Sequence, residues 1–134
     1  MREEFSMKRI PDLSKAEYDI LRILWKEGRQ TVRELHDRLH ETSGWAYTTT
    51  KTMMDRMVRK GLLDRGEFHG VFLYEPLVSR PAGLVKLIRF FSDRVLELDS
   101  REVVAMFTQS QALTPEEIRE LERLLEEEGD PSDG

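Results

Sequence analysis

The chain has 134 residues, with 21 Lys+Arg against 26 Asp+Glu, a net charge of −5, and no cysteine. Without thiols there is neither a disulfide framework nor a thiolate metal site, which points to a reducing cytoplasm. No apolar run approaches the roughly 18 residues of a membrane span and the start, MREEFSMKRIPDL, lacks a signal peptide's apolar segment, so a soluble, unexported protein without membrane insertion is expected.

In chain order, residues 1–12 read as a flexible N-terminus. Ser14-Lys15-Ala16-Glu17 is a capping box, in which serine and glutamate satisfy orphan N–H groups of a first helix running from about Lys15 to Glu27. Tyr18, Ile20, Leu21, Ile23, Leu24 and Trp25 cover most of its circumference, as expected of a central buried helix, and Gly28 stops it. A second capping box, Thr31-Val32-Arg33-Glu34, opens a short helix to about Glu41 with Val32, Leu35 and Leu39 inward, and Thr42-Ser43-Gly44 makes the turn.

The third helix, Tyr47 to Lys60, carries the chemistry. At 100° per residue, Tyr47, Thr50, Met54, Met57 and Val58 form a core-facing stripe about 100° wide. The opposite face presents Thr48, Thr49, Thr52, Arg56 and Arg59, with Lys51 nearby and Asp55 as the one acid near its edge. Threonine hydroxyls can donate to or accept from base edges and phosphates, and arginine grips guanine or phosphate with parallel donors. The competing reading is an ordinary solvated face. Gly61 then caps the helix, and Leu62 to Arg65 and Val71 to Glu75 are extended runs around the loop Gly66-Glu67-Phe68-His69-Gly70. Helix, turn, helix and charged hairpin in this order read as a winged helix-turn-helix over residues 13–79, with Arg65 and His69 at or beside the wing tip and placed for DNA backbone.

Residues 1–80 carry net +2 and residues 81–134 net −7, so the acidity lies outside the proposed reading head. Residues 80–128 read as three amphipathic helices. Leu84, Ile88, Phe91, Val95 and Leu98 step by 4, 3, 4 and 3 in a coiled-coil-like seam that leaves Val85 and Leu96 outside. A short helix from about Ser100 to Gln109 brings Val103, Val104, Met106 and Phe107, and Thr114-Pro115-Glu116-Glu117 starts a last helix lined by Ile118, Leu121, Leu124 and Leu125. So thin a core is expected to be completed by a second copy through Leu84, Ile88, Phe91, Val95, Leu98, Val104 and Phe107, rather than by packing back on the winged helix. Residues 129–134 read as a disordered tail. The fold class expected is therefore mostly α with a small β-wing, an N-terminal winged helix-turn-helix followed by a helical dimerisation domain.

Enzymatic readings find little support. His36 and His40 lie one turn apart, but Asp37 stands where a zinc-protease helix needs glutamate, and the only other histidine is His69; the expectation is an exposed helix face and no metal. No phosphate-cradling loop, dinucleotide fingerprint or nucleophile elbow occurs, so neither cofactor nor catalytic residue is expected.

The segments LSKAEYDILRILWKEG, TVRELHDRLH, YTTTKTMMDRMVRKGLL and FLYEPLVSR, in this order and spacing, resemble the bacterial penicillinase-repressor family of BlaI/MecI/CopY type over residues 10–128. The resemblance implies a bacterial cytoplasmic homodimer of winged helices that binds a palindromic operator in double-stranded DNA and represses transcription. The DNA-binding residues are then Tyr47, Thr48, Thr49, Lys51, Thr52, Arg56, Arg65 and His69. Some family members are inactivated when a membrane-bound sensor of β-lactams triggers cleavage at an Asn-Phe bond, which makes a membrane sensor-protease system a candidate partner. Met106-Phe107 stands at that position here, with methionine replacing asparagine. Copper-responsive relatives use C-terminal cysteine ligands, and the absence of cysteine excludes a sensor of that design. The alternative function is a winged helix that binds protein rather than DNA; acids on the outer face of the third helix would favour it, and Asp55 is the only one.

Overall fold

A computed structural model of the chain describes residues 10–128, so the flexible ends expected at 1–12 and 129–134 lie almost wholly outside the described residues. Two compact units are present, Leu13–Ser79 and a second beginning at Arg80. The first contains α1 (Lys15–Glu27), α2 (Val32–Ser43), α3 (Tyr47–Arg59), β1 (Leu63–Phe68) and β2 (Val71–Pro76). Both capping boxes form. Glu17 N–H donates to Ser14 Oγ at 3.1 Å and Ser14 N–H to Glu17 Oε1 at 3.0 Å, with the equivalent Thr31 and Glu34 pair at 3.1 and 2.9 Å. These bonds satisfy amides that a helix start otherwise leaves orphaned.

The core joins Ile20, Leu21 and Leu24 of α1 to Leu35 and Leu39 of α2, Met54 and Met57 of α3, and Leu63 and Tyr74 of the hairpin. Each large apolar side chain withdrawn from water contributes about 1.5–3 kcal/mol, which offsets the entropy of ordering three short helices. Tyr18, Ile23 and Trp25 are only half-buried, so α1 is less enclosed than its composition suggests. Conversely Glu17 is buried, and its carboxylate meets the Lys60 ammonium just beyond the end of α3. Burial works against that charge, but the Lys60 and Ser14 hydrogen bonds outweigh it, and the carboxyl titrates below the usual glutamate range.

The helix expected to run to Lys60 ends at Arg59, with Lys60 as its cap and Gly61 one place beyond, at φ 82°. Gly61 N–H donates to Val58 O at 3.1 Å and Leu62 N–H to Met57 O at 2.9 Å, a Schellman closure that needs a residue free to take positive φ. The hairpin also differs from expectation. β1 continues through Gly66 and Glu67 to Phe68, which pairs with Val71, so the five-residue loop shrinks to the two-residue turn His69-Gly70 with φ 50° and 84°. Positive φ at both central positions matches the right-handed twist of the strands, and this lets the ladder zip to its end. A further pairing was not anticipated: Gln30 exchanges hydrogen bonds with Tyr74, at 3.1 and 2.8 Å, and extends the sheet along the other edge of β2.

In the second unit α4 (Arg80–Phe90) runs into a π-helical stretch (Phe91–Leu96), followed by α5 (Ser100–Ser110) and α6 (Pro115–Glu128). The continuous helix expected to Leu98 is interrupted. The Ser92 hydroxyl donates to Ile88 O at 2.8 Å, a local competitor for the carbonyl that a regular helix would use, and Glu97 turns left-handed at φ 56°. The wider winding rotates later residues out of the 4-3 pattern. On α4, before the widening, the inward side is Pro81, Val85 and Ile88, and Ser92 follows, although Val85 was expected to fall outside the stripe. These residues and Val103, Val104, Ile118, Leu121, Leu124 and Leu125 fill the unit's own core, with α6 against α4 and α5. Arg80 clamps Glu117 in a two-pronged pair at 2.7 and 3.1 Å, and Arg89 donates to Leu125 O at 2.7 Å near the end of α6. No helix among the described residues is long and apolar enough to cross a membrane.

Candidate nucleic-acid interface

Alternation of apolar and polar residues at helical spacing fixes how α3 sits. Thr50, Met54 and Met57 are fully buried, which turns Thr48, Thr49, Lys51, Thr52, Arg56 and Arg59 outward to solvent. Arg56 and Arg59 have no ion-pair partner among the described residues, so their guanidinium donors are available to an acceptor from outside. The helix begins at Ala46 without a side-chain cap, leaving first-turn N–H groups for water or for an anion.

The N-terminal end of α3 is held by α2. His36, expected on an exposed face, is buried, and its Nδ1 lies 2.9 Å from Thr50 Oγ1. Its ring also meets Tyr47 edge-on at 5.5 Å, while Arg33 stacks on Tyr47 at 4.4 Å. Tyr47, half-buried, is thus a wedge between helices, and the exposed Arg33 guanidinium stands over it at the start of α3. Sequence reasoning did not single out Arg33; the signal available was its place in the first turn of α2, the helix that precedes the turn of a helix-turn-helix. His40 stays exposed, 5.3 Å from His36 between ring centres. No group of three or more histidine, aspartate or glutamate side chains among the described residues could hold a metal ion.

Lys51 and Arg65 occupy a different setting from the free cations expected. Asp55 accepts Lys51 Nζ at 2.9 Å on one oxygen, and on the other lies 3.3 Å from the donating Tyr74 hydroxyl and 3.5 Å from Arg65. Burial opposes the aspartate's charge, yet the Lys51, Tyr74 and Arg65 donors outweigh it and hold the carboxyl below its usual range; the Lys51 ammonium is correspondingly raised. Arg65 lies in β1 opposite Tyr74, with its guanidinium over Phe72 at 4.6 Å, so it stands beside α3 instead of flanking the tip. Of the two residues expected there, His69 alone lies at the tip, beside Gly70, and Phe68 packs against it at 4.2 Å. Phe68, Val71 and Phe72 are all about half exposed, an apolar character that the expected charged wing did not include.

Among the residues expected at a dimer seam, Phe91 and Val95 remain 46% and 52% exposed, with Leu84, Leu98 and Phe107 half-buried. Ile88 and Val104 lie inside the unit's own core, where α4, α5 and α6 pack together. Met106 is exposed and the Met106-Phe107 bond lies within α5.

Comparison with known proteins places this geometry in a lineage. The penicillinase repressor family model matches residues 13–127. The penicillinase repressor of Bacillus licheniformis is 31% identical over 121 residues, covering 90% of this chain and 94% of that protein. The methicillin resistance regulatory protein MecI of Staphylococcus aureus (strain N315) is 25% identical over 114 residues, covering 85% and 93%. Among solved structures, the solution structure of the Bacillus licheniformis BlaI monomeric form in complex with the blaP half-operator is 31% identical with a TM-score of 0.50, over 55% of this chain and 90% of that one. A winged helix whose α3 turns a hydroxyl and basic face outward, followed by a helical unit, is thus accompanied by a family match across nearly the whole described chain: the chain belongs to the penicillinase repressor family.

Proposed function

We propose that this protein is a sequence-specific DNA-binding repressor that acts as a homodimer on a palindromic operator in the bacterial cytoplasm. The observation that carries the reading is the exposed face of α3, where Thr48, Thr49, Thr52 and Arg56 project from a helix locked by Thr50, Met54 and Met57. Membership of a family of repressors rather than enzymes supports it, as does the likeness to a BlaI form bound to a half-operator. One helix contacts only a few base pairs, so two copies related by a two-fold axis are the physical route to useful specificity. The exposed Phe91 and Val95, joined by Leu87, Phe90 and Met106, supply apolar surface for that pairing. Residues 13–79 then form the DNA-binding domain and 80–128 the dimerisation domain. Cutting at Met106-Phe107 would sever α6 from α4, with which it shares a core, and release the operator; a membrane sensor-protease is the partner that would drive it.

The exposed Phe68, Val71 and Phe72 favour a second reading, a wing that docks on protein. Titration of fluorescent random-sequence duplex, followed by selection of bound sequences, decides between them. Steeply salt-dependent retention and enrichment of a palindrome support the repressor, whereas no duplex binding at low salt leaves the protein-docking reading.

A further inference from the structure

Asp55 is an anomaly on a surface otherwise suited to nucleic acid. A carboxylate beside a phosphate backbone repels it, and this one also occupies two of the cations that would neutralise phosphate. The arrangement is built, not incidental: the Lys51 bond is 2.9 Å long, and the Tyr74 ring that orients the other oxygen is fully buried. Lys51 belongs to α3 and Arg65 to β1, so one carboxylate restrains both the reading helix and the wing.

We propose that Asp55 is a specificity-determining residue, which holds Lys51 and Arg65 out of indiscriminate contact with phosphate until the threonines of α3 meet matching bases. The inference rests on the DNA-binding reading above. On a random duplex the only attraction is phosphate neutralisation, and Asp55 subtracts from it by repulsion and by competition for two cations. On the operator, base contacts by Thr48, Thr49 and Thr52 add to the attraction and offset that cost. A penalty common to both duplexes cancels from their ratio; the gap widens because base docking draws Lys51 and Arg65 off Asp55 onto operator phosphates, so the penalty falls on random duplex alone.

The deciding comparison is Asp55→Asn against the wild-type protein on random-sequence and selected-operator duplexes, titrated from low to moderate salt. Asparagine keeps the shape and an acceptor for the Tyr74 hydroxyl while removing the charge. Released Lys51 and Arg65 should each reach a phosphate, steepening the salt slope on random duplex by about 0.9 per contact, so the loss between 50 and 200 mM salt grows about 3.5-fold for each. Random-duplex affinity should rise at low salt by more than operator affinity, narrowing their ratio. Adding Lys51→Ala to Asp55→Asn should return about one unit of slope. A merely structural role for Asp55 would lower both affinities and leave the slope alone, which overturns the proposal. Wild-type protein that ignores duplex altogether overturns the DNA-binding reading and this proposal with it. Wild-type binding with an unchanged slope in Asp55→Asn overturns only the latter. Tyr74→Phe serves as a second variant: it keeps the buried ring and the Asp55 charge and removes only the hydroxyl bond, so Lys51 and Arg65 stay paired and the slope should stay at the wild-type value, whereas a slope as steep as that of Asp55→Asn would overturn the role of the charge.

Discussion

Replacing Glu17 by glutamine tests how the reading helix is anchored to the rest of its unit. The Glu17 side chain is almost out of solvent, with Oε1 accepting Ser14 N–H at 3.0 Å and Oε2 receiving the Lys60 ammonium at the end of α3. Glutamine is nearly isosteric and keeps an oxygen for Ser14, so what it removes is the charge. A hydrogen bond to a charged group contributes about 1.5–3 kcal/mol. Lys60 is 46% exposed and regains water when its partner is neutralised, which places the loss near the lower end, about 1–2 kcal/mol. The pH dependence has a definite sign. The folded carboxyl titrates below the ordinary value of 4.5, so its stabilisation is complete above that value and is lost as the pH falls from there through the lower, folded one. Both tryptophans, Trp25 and Trp45, lie in Leu13–Ser79, so urea unfolding followed by tryptophan emission reports this unit alone. With a slope of about 1–2 kcal/mol per molar urea, the midpoint of Glu17→Gln at neutral pH should fall by about 1 M. The gap should narrow as the pH falls from 4.5 through the folded carboxyl's own titration, because wild-type Glu17 is progressively neutralised there. A gap that stays constant as the pH falls would show that shape, not charge, accounts for the stabilisation.

Thr49→Ala and Thr52→Ala should each weaken operator binding by about 1–3 kcal/mol per lost base contact with little change on random duplex; equal losses on both would rule out base readout by these hydroxyls. Phe91→Asp or Val95→Asp should leave the tryptophan transition intact and sediment as a monomer, because a charge placed in an apolar seam must be desolvated; a persistent dimer would move the interface elsewhere. Leu121, fully buried in the second unit, should cost about 2–5 kcal/mol on truncation to alanine, seen as earlier melting of helical circular dichroism with the tryptophan transition unmoved. Coincident shifts of both signals would instead mean that the two units unfold together.

What the sequence determined by itself is local. The capping boxes at Ser14, Thr31 and Thr114, the glycine beyond α3, and the 3.6-residue spacing that buries Thr50, Met54 and Met57 are short-range rules written in adjacent side chains, and the structure follows them almost residue for residue. The outward threonine and arginine face of α3 was legible for the same reason. Tertiary structure decided whatever depends on partners distant in the chain. The Gln30 and Tyr74 pairing, the burial of Glu17 by Lys60, and the ties of Asp55 to Arg65 and Tyr74 join residues 44, 43, 10 and 19 positions apart, and no periodicity announces them; the Lys51 and Asp55 pair, one helical turn apart, is the local part of that cluster. In the second unit an even 4-3 stripe suggested one seam, but the Ser92 hydroxyl opened the helix and the packing of α6 chose Val85 over its neighbours. A pattern of apolar residues says that a face is buried. Which face wins, when two are nearly equal, depends on what else folds against it.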